Sequence, residues 1–311
     1  MNNIICIAGP TASGKTALAV ELAKFTNGEV VSCDSMQVYR RMDIGTAKPS
    51  EEEKQGIIHH MIDVCDPDED FSVSRYCAMA APIVDDILAR GKTAIIAGGT
   101  GLYMDSLIRG NDFAPFPSTG MREKLEAQAD EKGMEAILSL LQSIDPEAAA
   151  KLHLADRKRI IRALEVYYET GETITAHNLR TQAIPPRYSP LWIGLDFDPR
   201  EELYRRIDLR VDIMLRQGLV EEIKELLASG IPAKSTAMQA IGYKEFVAAL
   251  SGCGTIAEAA EEVKKSSRHY AKRQLTWFRR NKAMHWLTRK PGDGSEEILL
   301  RARQLLIETD K

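Results

Sequence analysis

An α/β fold with a parallel-sheet core, an all-helical insertion and a helical C-terminal part is predicted by three observations. Short apolar runs alternate with helix-forming stretches in the N-terminal third of the chain. A glycine-rich loop sits between the first run and the first helix. A block of helical sequence then separates these early strands from a later apolar run. Ile4-Ile5-Cys6-Ile7-Ala8 is the first predicted strand and Ala17 to Phe25 the first helix. Between them Gly9-Pro10-Thr11-Ala12-Ser13-Gly14-Lys15-Thr16 fits the pattern GxxxxGK[ST]. Glycines let backbone N–H groups turn inward around a phosphate chain, the next helix adds its dipole, and Lys15 adds a point charge. Thr16 can place its hydroxyl on Mg2+. The fold expected is thus P-loop NTPase-like.

Glu29 to Cys33 is the second strand, ending at Asp34-Ser35. Ser72 to Arg90 is a helix with a Ser cap and a stop at Gly91, and Thr93 to Ala97 is a third strand running into Gly98-Gly99-Thr100-Gly101. Ligands in open parallel sheets lie beyond the carboxyl ends of strands, so the phosphate loop, Asp34 and Thr100 are expected in one crevice. Phe113 to Ser118 is Pro-rich, and helices are predicted at Met121 to Lys132, Glu135 to Gln142 and Asp156 to Thr170, with Asp156 as N-cap. Leu191 to Leu195 restores a strand, and the chain reads as helical from Glu201 onward. The division expected is a catalytic core of residues 1–112 and 189–311 and an insertion of residues 113–188.

The 311 residues are 44% apolar and 28% charged, as in a folded globular chain. No signal pattern and no apolar run near the ~18 residues of a spanning helix is present, so a cytoplasmic protein without membrane contact is expected. The five cysteines lack CxxC spacing, which argues against zinc and disulfides; they read as reduced, mostly core thiols. His59 and His60 point in different directions on any regular element and read as solvent-facing or capping groups.

The net charge of -4 hides an asymmetry. From Lys264 to Trp286 the chain has Lys264, Lys265, Arg268, Lys272, Arg273, Arg279, Arg280 and Lys282 and no acid, with Leu275, Trp277, Phe278 and Trp286 interleaved. With no acid to pair at i+4, this face is expected to meet a polyanion. Arg157-Lys158-Arg159 and Arg162 form a second basic cluster.

Two chemistries fit the loop. A kinase or NTPase would use Asp34 for Mg2+. If the bound pyrophosphate instead leaves from carbon, Asp34 is a general base for the acceptor.

GPTASGKT at 9–16, DSMQVYRRMDIGTAKP at 34–49, GGTGLY at 98–103, DRKRIIRALEVY at 156–167, AIGYKE at 240–245 and AKRQLTWFR at 271–279 resemble, in order and spacing, the bacterial tRNA dimethylallyltransferases. The resemblance spans residues 4 to about 288 and implies transfer of a dimethylallyl group from its diphosphate to N6 of adenosine 37, in tRNAs reading codons that begin with U. It implies that Asp34 is the base, that Thr100 lies beside the reaction centre, and that the loop residues 9–16, with Lys15, Thr16, Mg2+ and Arg210, hold the diphosphate. It further implies tRNA contacts at Ser35, Met36 and Gln37, at Arg122, at Lys158, Arg159, Ile160, Ile161 and Arg162, and at Gln239, Ala240, Ile241, Gly242, Tyr243 and Lys244, beside Lys272 and Arg273 of the basic face. The expected partners are dimethylallyl diphosphate and a tRNA anticodon stem-loop with adenosine 37 flipped out, acted on by a monomer. Arg162 has an alternative, pairing with Glu165 or Glu169 on its own helix. Leu154-Ala155-Asp156 stands where Pro-Asn-Asp is frequent in the family, and the zinc finger of eukaryotic members is not in the sequence, so a bacterial-type substrate without zinc is expected. A related class that prenylates free AMP would need neither the insertion nor the basic face.

Overall fold

A computed structural model gives residues 3–111 and 119–309, with Gln182 described by its backbone alone. The Pro-rich connection at 113–118 lies outside the described residues. The chain divides into two compact units, one running to Gly110 and resuming at Arg187, the other Asn111–Pro186.

In the first unit the elements are β1 (Ile4–Ala8), α1 (Lys15–Thr26), β2 (Gly28–Ser32), α2 (Glu51–Lys54), β3 (His59–His60), α3 (Val73–Ala89), β4 (Thr93–Gly98) and α4 (Gly101–Arg109). The second unit holds α5 (Met121–Lys132), α6 (Met134–Ile144), α7 (Pro146–Ala149), α8 (Arg157–Thr170) and α9 (Ile174–Ala183). The first unit resumes with β5 (Leu191–Phe197), α10 (Arg200–Gln217), α11 (Leu219–Ala228), α12 (Lys244–Leu250), α13 (Ile256–Phe278), β6 (Met284–Arg289) and α14 (Ser295–Thr309).

The sheet order is β3-β2-β4-β1-β5-β6, with every pairing parallel. Helices cover both faces, which is why β1 is apolar at every position. Ile4, Cys6 and Ala8 enter one core with Val31, Ile96 and Tyr76, while Ile5 and Ile7 enter the other with Leu18, Leu22 and Ile193.

Three expectations are corrected. His59 and His60 form the edge strand β3 on Val30 and Val31, and His60 bonds Glu29 at 2.8 Å. Glu29 is 2% exposed and also receives Arg90 and Lys92; Arg90 in particular holds its carboxyl well below the usual range. The C-terminal part is not wholly helical, because β6 pairs with β5 from Trp192↔Met284 to Phe197↔Arg289. Asp156 occupies the N-cap position of α8, yet its carboxylate accepts the N–H of His153 and makes no cap bond. Ser72, by contrast, caps α3 as expected, accepting the N–H of Arg75.

The second unit has its own core of Leu125, Ala129, Ile137, Leu141, Ile160, Ile161 and Leu164. Buried Asp145 ties α7 to α9 by accepting the N–H groups of Ala148 and Thr175 and the Thr175 hydroxyl. The five cysteines are free; Cys6, Cys33 and Cys65 are buried and Cys253 is exposed. Among the described residues no helix is long and apolar enough to cross a membrane.

Candidate active site

β4 lies between β1 and β2, so the loops leaving the three strands are neighbours at the carboxyl edge. The exits of β2 and β4 are joined through the backbone: Cys33 donates to Ala97 O at 2.8 Å and Thr100 to Cys33 O at 3.2 Å. This approach demands glycine, since a Cβ on Gly98 would come 2.0 Å from Cys33 O. Asp34 Oδ1 accepts the N–H groups of Met36 at 2.8 Å and Gln37 at 3.3 Å, and among the described residues Oδ2 takes no hydrogen bond. The Thr100 hydroxyl accepts Ser35 N–H at 3.0 Å and faces Ser35 Oγ at 3.3 Å, so it pins the Asp34-Ser35 turn.

The phosphate loop wraps from Gly9 to the start of α1. Gly14 has φ +88°, which a side chain would strain, and a Cβ on Gly9 would meet Leu195 O at 2.8 Å. The buried Ser13 hydroxyl has no partner among the described residues, an unmet polar group inside the loop. Lys15 donates to Pro10 O at 2.6 Å, Arg206 to Ala12 O at 3.1 Å and Arg210 to the Thr11 hydroxyl at 3.5 Å. Arg289, at the end of β6, lies with Arg206 against the Phe197 ring. Among the described residues no carboxylate forms an ion pair with Lys15, Arg206 or Arg210. Burial, then the charge of Arg210, brings the Lys15 ammonium down to about 7, against the opposing pull of Asp34. Burial likewise lowers Arg210. These cations are held in a dry, positive environment that an anion relieves.

A cavity of about 1010 Å³ opens on this group, lined by Thr11 to Ala17, Asp34, Gln37, Arg206, Arg210, Tyr270 and Gln274, with residues 43–54 as its far wall. Thr100 does not line the cavity; its hydroxyl holds Ser35 and it meets the lining at Tyr270. Tyr270 stands between the two sides: burial, then Asp34, pushes its phenol up to about 12, while Thr100 and Gln274 bond to it. The described residues contain no group of three His, Cys, Asp or Glu placed to hold a metal ion. Among the lining residues, Thr16 and Asp34 are oxygen donors that suit Mg2+ taking its remaining ligands from phosphate and water.

Several expected contact residues have other duties. The Gln37 amide is spent inside the protein, on Ser32 and on the carbonyls of Thr46 and Ala47. Ile160 and Ile161 are core residues of their unit and cannot present side chains to a ligand. Ala240, Gly242 and Tyr243 are buried as well, leaving Gln239 and Lys244 exposed and Ile241 half-buried. The Tyr243 phenol donates to Glu222 at 2.7 Å, and Glu222 accepts the N–H groups of Asp43 and Ile44, so this pair braces the far wall of the cavity. Arg122 and Arg162 share Glu165, both remaining partly exposed, and Arg159 meets Asp156 at 3.3 Å.

The basic face of α13 also differs from expectation. Lys264 pairs with Asp212 and Glu261, Lys265 with Glu262, Arg268 with Asp208 and Arg279 with Asp196. Lys272 and Arg273 stay exposed without a carboxylate among the described residues, Arg273 lying on the Tyr270 ring. Leu275 and Phe278 are core, and the Trp277 indole donates to Asp105.

Arg206, Arg289, Tyr270 and Gln274 were not anticipated. Arg206 lies one helical turn before Arg210, a spacing that was open to notice. Gln274 is a neutral amide within a helix and carries no local signal.

Comparison with known proteins accords with this arrangement. Residues 37–281 match the family described as IPP transferase, and residues 2–66 that described as isopentenyl transferase. A tRNA dimethylallyltransferase of Acetivibrio thermocellus is 48% identical, covering 98% of each chain. The solved full-length tRNA isopentenylpyrophosphate transferase of Bacillus halodurans is 41% identical with a TM-score of 0.74, over 98% of this chain and 96% of its own. A eukaryotic dimethylallyltransferase solved in the course of acting on tRNA is 29% identical with a TM-score of 0.84, over 99% of this chain and 80% of its own. By the extent of these matches, the chain belongs to the IPP transferase family.

Proposed function

We propose that this chain transfers a dimethylallyl group from dimethylallyl diphosphate to N6 of adenosine 37 in tRNA. The observation that carries the reading is one cavity in which Asp34 faces a phosphate loop whose cations have no ion-paired carboxylate among the described residues. The family's relatives, named for dimethylallyl transfer to tRNA, support the reaction class.

The adenine amine is a weak nucleophile because its lone pair is delocalised into the ring. Asp34 Oδ2, which no group among the described residues uses, accepts a hydrogen bond from N6 and takes its proton. The N6–C1 bond forms as the allylic C1–O bond breaks, and the electron pair leaves with pyrophosphate. Loop N–H groups, Lys15 and Arg210 stabilise the charge that grows there, each worth about 3 kcal/mol of barrier. Thr16 would hold Mg2+, which would supply further charge neutralisation on the diphosphate. Extruding adenosine 37 costs a few kcal/mol, which exposed cations such as Lys158, Lys244, Lys272 and Arg273 recover on the tRNA backbone. We read the enzyme as a monomer acting on tRNA in the cytoplasm.

The test offers radiolabelled dimethylallyl diphosphate and Mg2+ with a tRNA bearing A36-A37-A38, and with AMP alongside. Label is expected on tRNA and not on AMP, and Asp34→Ala should reduce it to near background while the protein stays folded. ATP hydrolysis without tRNA labelling would refute the reading.

A further inference from the structure

We propose that Gln274 is a positioning residue that sets the distance between the leaving group and the acceptor. The inference rests on the transferase reading above. Gln274 lies on α13, 5% exposed, and each end of its amide is engaged. Oε1 accepts the N–H of Thr11 in the phosphate loop at 2.9 Å, and Nε2 donates to Gly99 O at 3.0 Å. Thr11 is also the residue whose hydroxyl receives Arg210. Gly99 immediately precedes Thr100, which pins the turn carrying Asp34. One planar amide therefore spans the loop that holds the diphosphate and the loop that orients the base.

The contact is close-fitting. A Cβ on Gly99 would fall 2.1 Å from Nε2, so the backbone meets the amide with no side chain between them. Bridging an N–H on one side to a carbonyl on the other requires an acceptor and a donor on adjacent atoms. Glutamine supplies both; glutamate lacks the donor and leucine lacks both.

In the reaction read above, N6, C1 and the departing oxygen must lie in line. A misplacement of about 1 Å between attacking and leaving groups costs on the order of a hundredfold in rate. Because both of these hydrogen bonds of Gln274 go to loop backbone, its loss should appear in kcat, with the diphosphate and tRNA still bound.

The experiment measures kcat and KM for both substrates in Gln274→Glu and Gln274→Leu, with equilibrium binding of dimethylallyl S-thiolodiphosphate and thermal melting alongside. The expected result is a fall in kcat of about a hundredfold in both variants, with each KM and the analogue's Kd within about threefold of wild type. Should the leucine variant fail to fold, the near-isosteric glutamate variant decides. A kcat within twofold of wild type overturns the inference, and so does a fall in rate that merely tracks lost binding or lost folded protein. A wild type that labels no tRNA overturns the transferase reading itself, and the inference with it.

Discussion

Two cationic regions of this molecule look alike in sequence and differ in structure. Around residues 11–14, and among the described residues, Lys15, Arg206 and Arg210 donate to carbonyls and a hydroxyl and to no carboxylate. Along α13, Lys264, Lys265 and Arg268 each face a carboxylate, at 2.8, 3.2 and 2.5 Å. Positive charge already paired inside the protein has little left to offer a ligand, whereas charge held without a counterion in a partly dry cleft is stabilised when an anion arrives. Only the end of α13 near Lys272 and Arg273 resembles the first region.

Three measurements would sharpen or break this contrast. The largest effect is expected at the loop: Arg210→Ala should lower kcat by about a hundredfold, as for loss of a single electrostatic donor, in a single-turnover assay. A fall below tenfold would place Arg210 with the structural cations.

Next comes pH. In the free protein Lys15 loses its proton at about 7, chiefly through burial, whereas a bound diphosphate returns it toward its ordinary range. Binding above that pH thus takes up a proton. Affinity for the thiolodiphosphate analogue should fall by up to about tenfold per pH unit as pH rises from 7 to 9, and Lys15→Arg should flatten the trend. The free protein shows the same linkage: its unfolded state binds the extra proton between about 7 and the ordinary lysine value, so stability rises with pH across that window. Calorimetry in buffers of different ionisation enthalpy reads the proton uptake directly.

The smallest effect concerns tRNA affinity. Lys272→Ala with Arg273→Ala should weaken binding severalfold and reduce the salt slope by about 1 to 2, while Arg268→Ala, which leaves Asp208 unpaired, should change neither. Equal effects from both variants would mean that the ion pairs open on binding.

What could be read from sequence was local. The phosphate loop, the Ser72 cap and the strands flanking the glycine loops each follow from a few adjacent residues. The charge reading of α13 began at Lys264 and so passed over Glu261 and Glu262, one turn earlier, which pair with Lys264 and Lys265 at i+3. Its other partners, Asp208, Asp212 and Asp196, arrive from α10 and β5 and are invisible until the chain folds. β6 was hidden because Met284 to Arg289 mixes polar and apolar residues at an edge of the sheet, with only Met284 and Leu287 buried. Ile160 and Ile161 fell within a motif that does carry exposed cations, and the motif did not distinguish the side that packs from the side that faces outward.

The Thr11–Gln274 hydrogen bond joins residues 263 positions apart. During synthesis the phosphate loop, Asp34 and Thr100 emerge early, followed by the second unit, and the amide that spans the two loops comes late, with β6 and α14 still to follow. A nascent chain can therefore hold Lys15, Asp34 and Arg210 and still lack the spacing between them. Assembly of the site awaits residue 274, so unfinished chains on the ribosome, surrounded by tRNA, would carry the parts of the enzyme before they carry its activity.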